Sequence, residues 1–313
     1  MLELYPPIEP NHSGYVPVGE GHEVYFEECG NPRGIPVVFL HGGPGSSCNP
    51  QHRRFFDPAA YRVVLFDQRG CGRSRPQGST EENTTPRLIA DIERLRQKLG
   101  IERWLLFGGS WGSTLALSYA LKHSGRVLGM VLRGIFLASR QELDWYLMGL
   151  REFLPEAWER LCAPVPAPSA TSVLKHYHRE IAQEATAAQA ARGWNDYESA
   201  AMAVGEPPGS SGAMSGSAGI ARVRVQLHYL AHDCFLERPL LDAVRGLDLP
   251  AIIVQGRRDL VCPPLTAYRL HQALPGSELR MAEEAGHSAM NPAMIAALVQ
   301  ATDDMRRRFS SQP

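Results

Sequence analysis

No stretch of the 313-residue chain approaches the ~18 uninterrupted apolar residues that a membrane-spanning helix requires. The start, MLELYPPIEP, has neither the basic front nor the apolar run of a secretion signal, so the expected location is the cytoplasm. Charge imbalance is missing too. A net charge of -1 and a pI near 6.8 leave no electrostatic footprint for nucleic acid or an anionic membrane. The basic triplet Arg306 to Arg308 reads as the solvated last turn of a helix. Six cysteines (29, 48, 71, 162, 234 and 262) are scattered with no C-x-x-C pair, which predicts free thiols in a reducing compartment. Eleven histidines, His176 and His178 among them, include no H-E-x-x-H pair or facial triad, so neither a metal nor a cofactor is expected. Internal repeats are absent, and nothing indicates an oligomeric state.

What the chain does have is core-forming material: 44% hydrophobic residues against 21% charged. Polar and apolar residues alternate around His22 to Cys29, as in a strand pair. Pro36–Leu40, Tyr61–Phe66 and Val127–Leu132 are short, continuous apolar runs, the pattern of strands buried on both faces. Thr85 and Pro86 suit the N-cap and first position of a helix that carries Leu88, Ile89, Ile92, Leu95 and Leu99 and stops at Gly100. Strands alternating with helices predict βαβ units and a mostly parallel sheet with helices on both faces.

That rhythm breaks near Leu137 and resumes with the strand Pro250–Val254, a helix from Pro264 to Leu274 and a strand at Glu278–Met281. The expected division is a core of residues 1–137 and 239–313 with a helical cap, 138–238, inserted in it. The Gly/Ser-rich stretch Gly205–Gly219 reads as a loop within the cap.

Chemistry centres on Gly108-Gly109-Ser110-Trp111-Gly112, which follows an apolar run and precedes an Ala/Leu-rich helical one. Strand, tight turn and helix are the context in which G-x-S-x-G acts as a nucleophile elbow. Side chains at 108 and 112 would collide with the neighbouring strand and helix. A serine hydroxyl needs a base to take its proton and a carboxylate to hold that base. On this architecture the partners follow in the order acid, then histidine, each just after a later strand. Asp259 and His287 stand at those places. The oxyanion of a tetrahedral intermediate needs two N–H donors. Trp111, next to the serine, and Gly43, in the His41-Gly42-Gly43-Pro44-Gly45 loop, are the candidates.

HGGPG, DQRGCGRS, NTT with ADIERLR, GGSWGSTLAL, VLRGIFL, GRRD-x-x-CP and AGHS together resemble the proline iminopeptidases (prolyl aminopeptidases), α/β-hydrolases that release an N-terminal proline from small peptides. The resemblance covers about residues 20–137 and 240–300. It implies a triad of Ser110, Asp259 and His287, oxyanion donors at Gly43 and Trp111, and a thiol, Cys262, beside the site. It also implies cap carboxylates that meet the substrate's free amine. Where the family has W-x-x-W-E, this chain has Trp194-Asn195-Asp196-Tyr197-Glu198 and keeps the acid. Where the family has E-x-H-Y-F, it has Gln226-Leu227-His228-Tyr229-Leu230, and the acid is an amide. Phe136 and Tyr146 match the aromatic walls for the pyrrolidine ring.

The implied activity is a serine aminopeptidase acting through an acyl-enzyme on a small peptide with a free N-terminus, with no nucleic acid or membrane partner. The alternative is an esterase or amidase on the same scaffold with altered amine recognition, because of Gln226.

Overall fold

A computed structural model describes residues 2–206 and 216–310. The chain opens with a hairpin of β1 (His12–Gly19) and β2 (His22–Gly30), followed by β3 (Ile35–Leu40) and β4 (Tyr61–Phe66). Then come α1 (Thr85–Lys98), β5 (Trp104–Gly109), α2 (Trp111–Lys122) and β6 (Val127–Arg133). Five helices precede the return to the sheet: α3 (Arg140–Met148), α4 (Pro155–Cys162), α5 (Ala170–Ala182), α6 (Glu184–Ala203) and α7 (Gly216–Ala231). The short α8 (Leu240–Ala243) leads to β7 (Ala251–Gly256), α9 (Pro264–Ala273), β8 (Ser277–Ala282) and α10 (Pro292–Ser310).

The strands form one sheet in the order β1-β2-β4-β3-β5-β6-β7-β8. The β1–β2 and β2–β4 pairs are antiparallel and all the others parallel. This is the mostly parallel sheet that the strand–helix alternation predicts. β5 lies in the interior of the order, and all its residues are buried. Its side chains alternate between faces. Trp104 and Leu106 join the cluster under α1 and α2, which runs on into the inserted helices through Leu143, Trp194 and Leu227. Leu105 and Phe107 join the opposite cluster with Phe55, Phe56 and the α10 residues Met294 and Leu298.

Local details depart from expectation in two places. The N-cap of α1 is Thr84, not Thr85, and Thr84 makes no side-chain cap bond. The Thr85 hydroxyl instead donates to the Cys234 carbonyl at 2.6 Å, tying the start of α1 to the end of the inserted segment. That tertiary acceptor is beyond the reach of local capping rules. Of the expected loop at 205–219, residues 216–219 are the first turn of α7, while 207–215 lie outside the described residues. All six cysteines are free and buried. Arg306 pairs with Asp57 and Arg307 with Asp304 in the last turns of α10. Among the described residues no helix is long and apolar enough to cross a membrane.

Candidate active site

The turn between β5 and α2 puts Ser110 at φ 56° and ψ -127°, a left-handed conformation that costs an ordinary residue of order 1–3 kcal/mol. Neighbours hold it there. The Ser110 amide donates to the Arg133 carbonyl at 3.0 Å, and its carbonyl accepts from the Ser113 amide at 2.8 Å. A Cβ at Gly108 would overlap the Gly112 carbonyl, and one at Gly112 would overlap the Leu40 carbonyl. The glycine spacing is thus a packing requirement between β3, β5 and α2. Ser110 is half-buried and faces a cavity of about 390 Å³ that also takes in Gly42, Gly43, Cys262 and His287.

Asp259 follows β7 and His287 follows β8, and the sheet brings them together. Asp259 Oδ2 lies 2.8 Å from His287 Nδ1, with both residues buried. The carboxylate is also held by the Cys262 amide at 2.8 Å on Oδ1 and by the Gln255 amide nitrogen at 3.2 Å on Oδ2. Gln255 spends its own oxygen on the Ile135 amide at 3.0 Å, bracing the loop after β6. The His287 carbonyl accepts from Arg133 at 2.8 Å. A Cβ at Gly134 would press within 3.1 Å of the His287 ring, so the ring rests on bare backbone.

With Nδ1 donating to Asp259, His287 Nε2 remains the acceptor. Among the described residues no hydrogen bond joins it to Ser110, whose hydroxyl is instead in reach of the Cys262 sulfur. Catalytic hydrogen bonds are often loose before substrate binds. Burial, reinforced by Asp259, pushes the Cys262 thiol well above its ordinary range, so it stays protonated at neutral pH and is a poor nucleophile.

Trp111 opens α2, so its amide has no intrahelical acceptor. Gly43, at φ 116°, gives its amide to no acceptor among the described residues. A network missed by motif reading ties their two segments together. The Trp111 indole donates to Gln68 Oε1 at 2.8 Å, and Gln68 Nε2 donates to the His41 carbonyl at 2.9 Å. His41 Nε2 accepts from the Gln68 amide at 3.0 Å, which leaves its proton on Nδ1 for the Gly42 carbonyl. Burial lowers the His41 pKa and keeps the ring neutral in that tautomer.

The inserted helices cover the cavity. Phe136, Tyr146, Glu198 and Gln226 line it. Phe136 is pinned to α2 through its carbonyl, which accepts from Thr114 at 2.7 Å. The Tyr146 ring packs edge-on against Tyr197, and its buried hydroxyl has no partner among the described residues. Trp194 does not line the cavity, contrary to the sequence expectation. It is fully buried behind Gln226 and donates its indole N–H to Gln226 Oε1 at 3.0 Å. Its place on the inner face of α6, packed against α5 and α7, removes it from any ligand.

Glu198 accepts from Gln226 Nε2 at 2.8 Å and is ion-paired with Arg222, a residue the motifs did not single out. Glu206 also lines the cavity, accepting from the Ser288 amide at 2.9 Å and the Asn291 side chain at 3.0 Å, so it braces the loop that carries His287.

A family model described as alpha/beta hydrolase fold matches residues 35–290. Solved structures of the same architecture include VinJ, at TM-score 0.69 and 20% identity over 96% of this chain and 99% of that one. Another is a Mycobacterium smegmatis proline iminopeptidase, at TM-score 0.63 and 17% identity over 95% and 100%. The fold and the serine on its elbow define the class as an α/β-hydrolase of the serine type. Full-length sequence relatives narrow it. The proline iminopeptidase of Xanthomonas citri is 46% identical over 97% of this chain and 99% of its own length. That of Arabidopsis thaliana is 44% identical over 97% and 82%. The chain belongs to the proline iminopeptidase family of α/β-hydrolases.

Proposed function

We propose that the protein is a serine aminopeptidase that releases N-terminal proline from small peptides. Residues 138–238 act as a cap over a core of 1–137 and 239–313. The observation that carries the reading is His287, hydrogen-bonded to the buried Asp259, sharing one cavity with Ser110 on a strained elbow and Glu198 on the cap. Ser110 Oγ attacks the scissile carbonyl carbon as its proton passes to His287 Nε2. Asp259 stabilises the imidazolium that results. The carbonyl electrons move to oxygen, where the amides of Trp111 and Gly43 hold the oxyanion. Collapse breaks the C–N bond, and His287 returns the proton to the leaving amine. Water, deprotonated by His287, then attacks the prolyl ester of Ser110, and proline leaves as the acid. Every step uses protein groups and water alone.

Specificity belongs to the cap and to the loop after β6. Phe136, on that loop, and Tyr146, on the cap, take the pyrrolidine ring. Glu198 takes the substrate ammonium, since a carboxylate offers about four lone-pair sites and Gln226 and Arg222 leave some of them free. A cytoplasmic location suits six unpaired buried thiols.

The test is a panel of prolyl-naphthylamide, other aminoacyl-naphthylamides and nitrophenyl esters, with Ser110→Ala as control. Prolyl-amide cleavage above the rest, lost in the control by at least ~10³-fold, is the expected result. Ester cleavage without any aminoacyl-amide cleavage would sink it in favour of an esterase.

A further inference from the structure

The inserted helices carry a side-chain cluster that hydrolysis does not use. His178 sits on α5, His228 in the last turn of α7 and His232 just beyond its end. His228 and His232 are four residues apart and so share one side of the helix. Packing of α5 against α7 brings His178 to them. Ring centroids are 5.1 Å apart for His228 and His232, 5.4 Å for His178 and His232, and 6.5 Å for His178 and His228. One ligand nitrogen from each ring lies within 4.8 Å of the other two. None of the three lines the catalytic cavity.

The hydrogen bonds around the cluster select which nitrogens are free. His228 Nε2 meets the Asn83 carbonyl at 2.9 Å, and His232 Nδ1 meets the His228 carbonyl at 2.7 Å. A carbonyl only accepts, so these two nitrogens carry the protons when the rings are neutral. Nδ1 of His228 and Nε2 of His232 are left with bare lone pairs. Metal-bound imidazoles orient themselves in this way, donating the second N–H to a carbonyl or carboxylate. Phe235 supplies an apolar wall, stacked on His232 at 5.1 Å and tilted on His228 at 5.0 Å.

We infer that His178, His228 and His232 bind a divalent transition-metal ion that clamps α5 to α7. Three imidazoles with no carboxylate in the group favour zinc, nickel or copper over magnesium or calcium. Metal–nitrogen bonds of about 2.0–2.1 Å place tetrahedral ligands about 3.3 Å apart, against the 4.8 Å within which one nitrogen of each ring already lies. The sequence offers His228 and His232 only as an i, i+4 pair, because the third histidine, His178, lies on a different helix far along the chain. The metal's role is structural: α7 also carries Arg222 and Gln226, which face Glu198 across the cavity.

The test titrates the full-length, untagged, chelator-stripped protein with zinc chloride by calorimetry and follows Tm. Binding of one equivalent with a micromolar or tighter Kd is expected, with Tm rising by roughly 3–8 °C at hundredfold excess over Kd. His178→Gln and His232→Ala leave the Asn83 contact of His228 in place. Each should weaken zinc binding at least ~10-fold while keeping the wild-type circular dichroism spectrum and metal-free activity. Cobalt(II) loading should give d–d bands without a thiolate charge-transfer band, separating the site from the cysteines. Zinc affinity weaker than ~100 μM, a thiolate band, or unchanged affinity in His178→Gln and His232→Ala would overturn the inference.

Discussion

Gln226 Nε2 donates to Glu198 Oε1 across 2.8 Å, on the carboxylate proposed above to take the substrate ammonium. Trp194 decides that orientation. Its indole N–H can only donate, so it takes the amide oxygen and turns the NH₂ toward Glu198. An acid at 226 would still accept from Trp194 but would turn a second negative oxygen toward Glu198, and two facing carboxylates invite a cation. The amide satisfies Glu198 internally instead.

Gln226→Glu should therefore strengthen amine recognition. An added charge-assisted bond is worth about 1 kcal/mol over a neutral one, or about fivefold in KM for prolyl-naphthylamide. Glu198→Gln should move KM the opposite way. Steady-state kinetics on both variants checks this, and an unchanged kcat/KM in Glu198→Gln would remove the residue from the amine site.

Arg222 competes for the same carboxylate through its ion pair with Glu198, both side chains being half-buried. Arg222→Leu should lower KM by about fivefold with kcat within about twofold, at some cost in Tm, since an exposed-to-partly-buried pair is worth about 1 kcal/mol. A rise in KM would mean that Arg222 orients Glu198 rather than competing with substrate.

Asp259→Asn should reduce kcat by about 10⁴-fold, because an amide at this position favours the wrong imidazole tautomer. Here the change also sets an amide nitrogen against the Gln255 donor at Oδ2 unless the amide turns toward the Cys262 N–H. Thermal melts should fall in parallel.

Glu93 gives a pH-dependent contribution to stability. Bonds from Arg96, with one from Tyr119 at 2.8 Å, hold its pKa down from 4.5 to about 2. A carboxyl depressed in the folded state stabilises above its unfolded pKa and loses that contribution as pH falls. The Tm gap between wild type and Glu93→Gln should thus be full above pH 4.5 and narrow as pH drops from 4.5 toward 2. A gap that stays constant across that range would assign the effect to packing.

The elbow was legible because its constraints are local. Glycines two before and two after Ser110 are required by the Leu40 and Gly112 carbonyls, and an apolar run followed by a helical one announces the strand and helix that frame it. Asp259 and His287 were legible for a related reason, since each stands just after a segment readable as a strand, β7 from its apolar run and β8 from its place in the strand–helix alternation. The cap was legible only as helices and as motif residues.

Which of those side chains faces the cavity depended on how α5, α6 and α7 pack. That packing buries Trp194, turns Gln226 onto Glu198, brings in Arg222 and gathers His178 with His228 and His232. Local sequence sets a backbone turn through sterics within a few residues. Partnerships between side chains tens of residues apart depend on helix rotation and register, which only the assembled core determines.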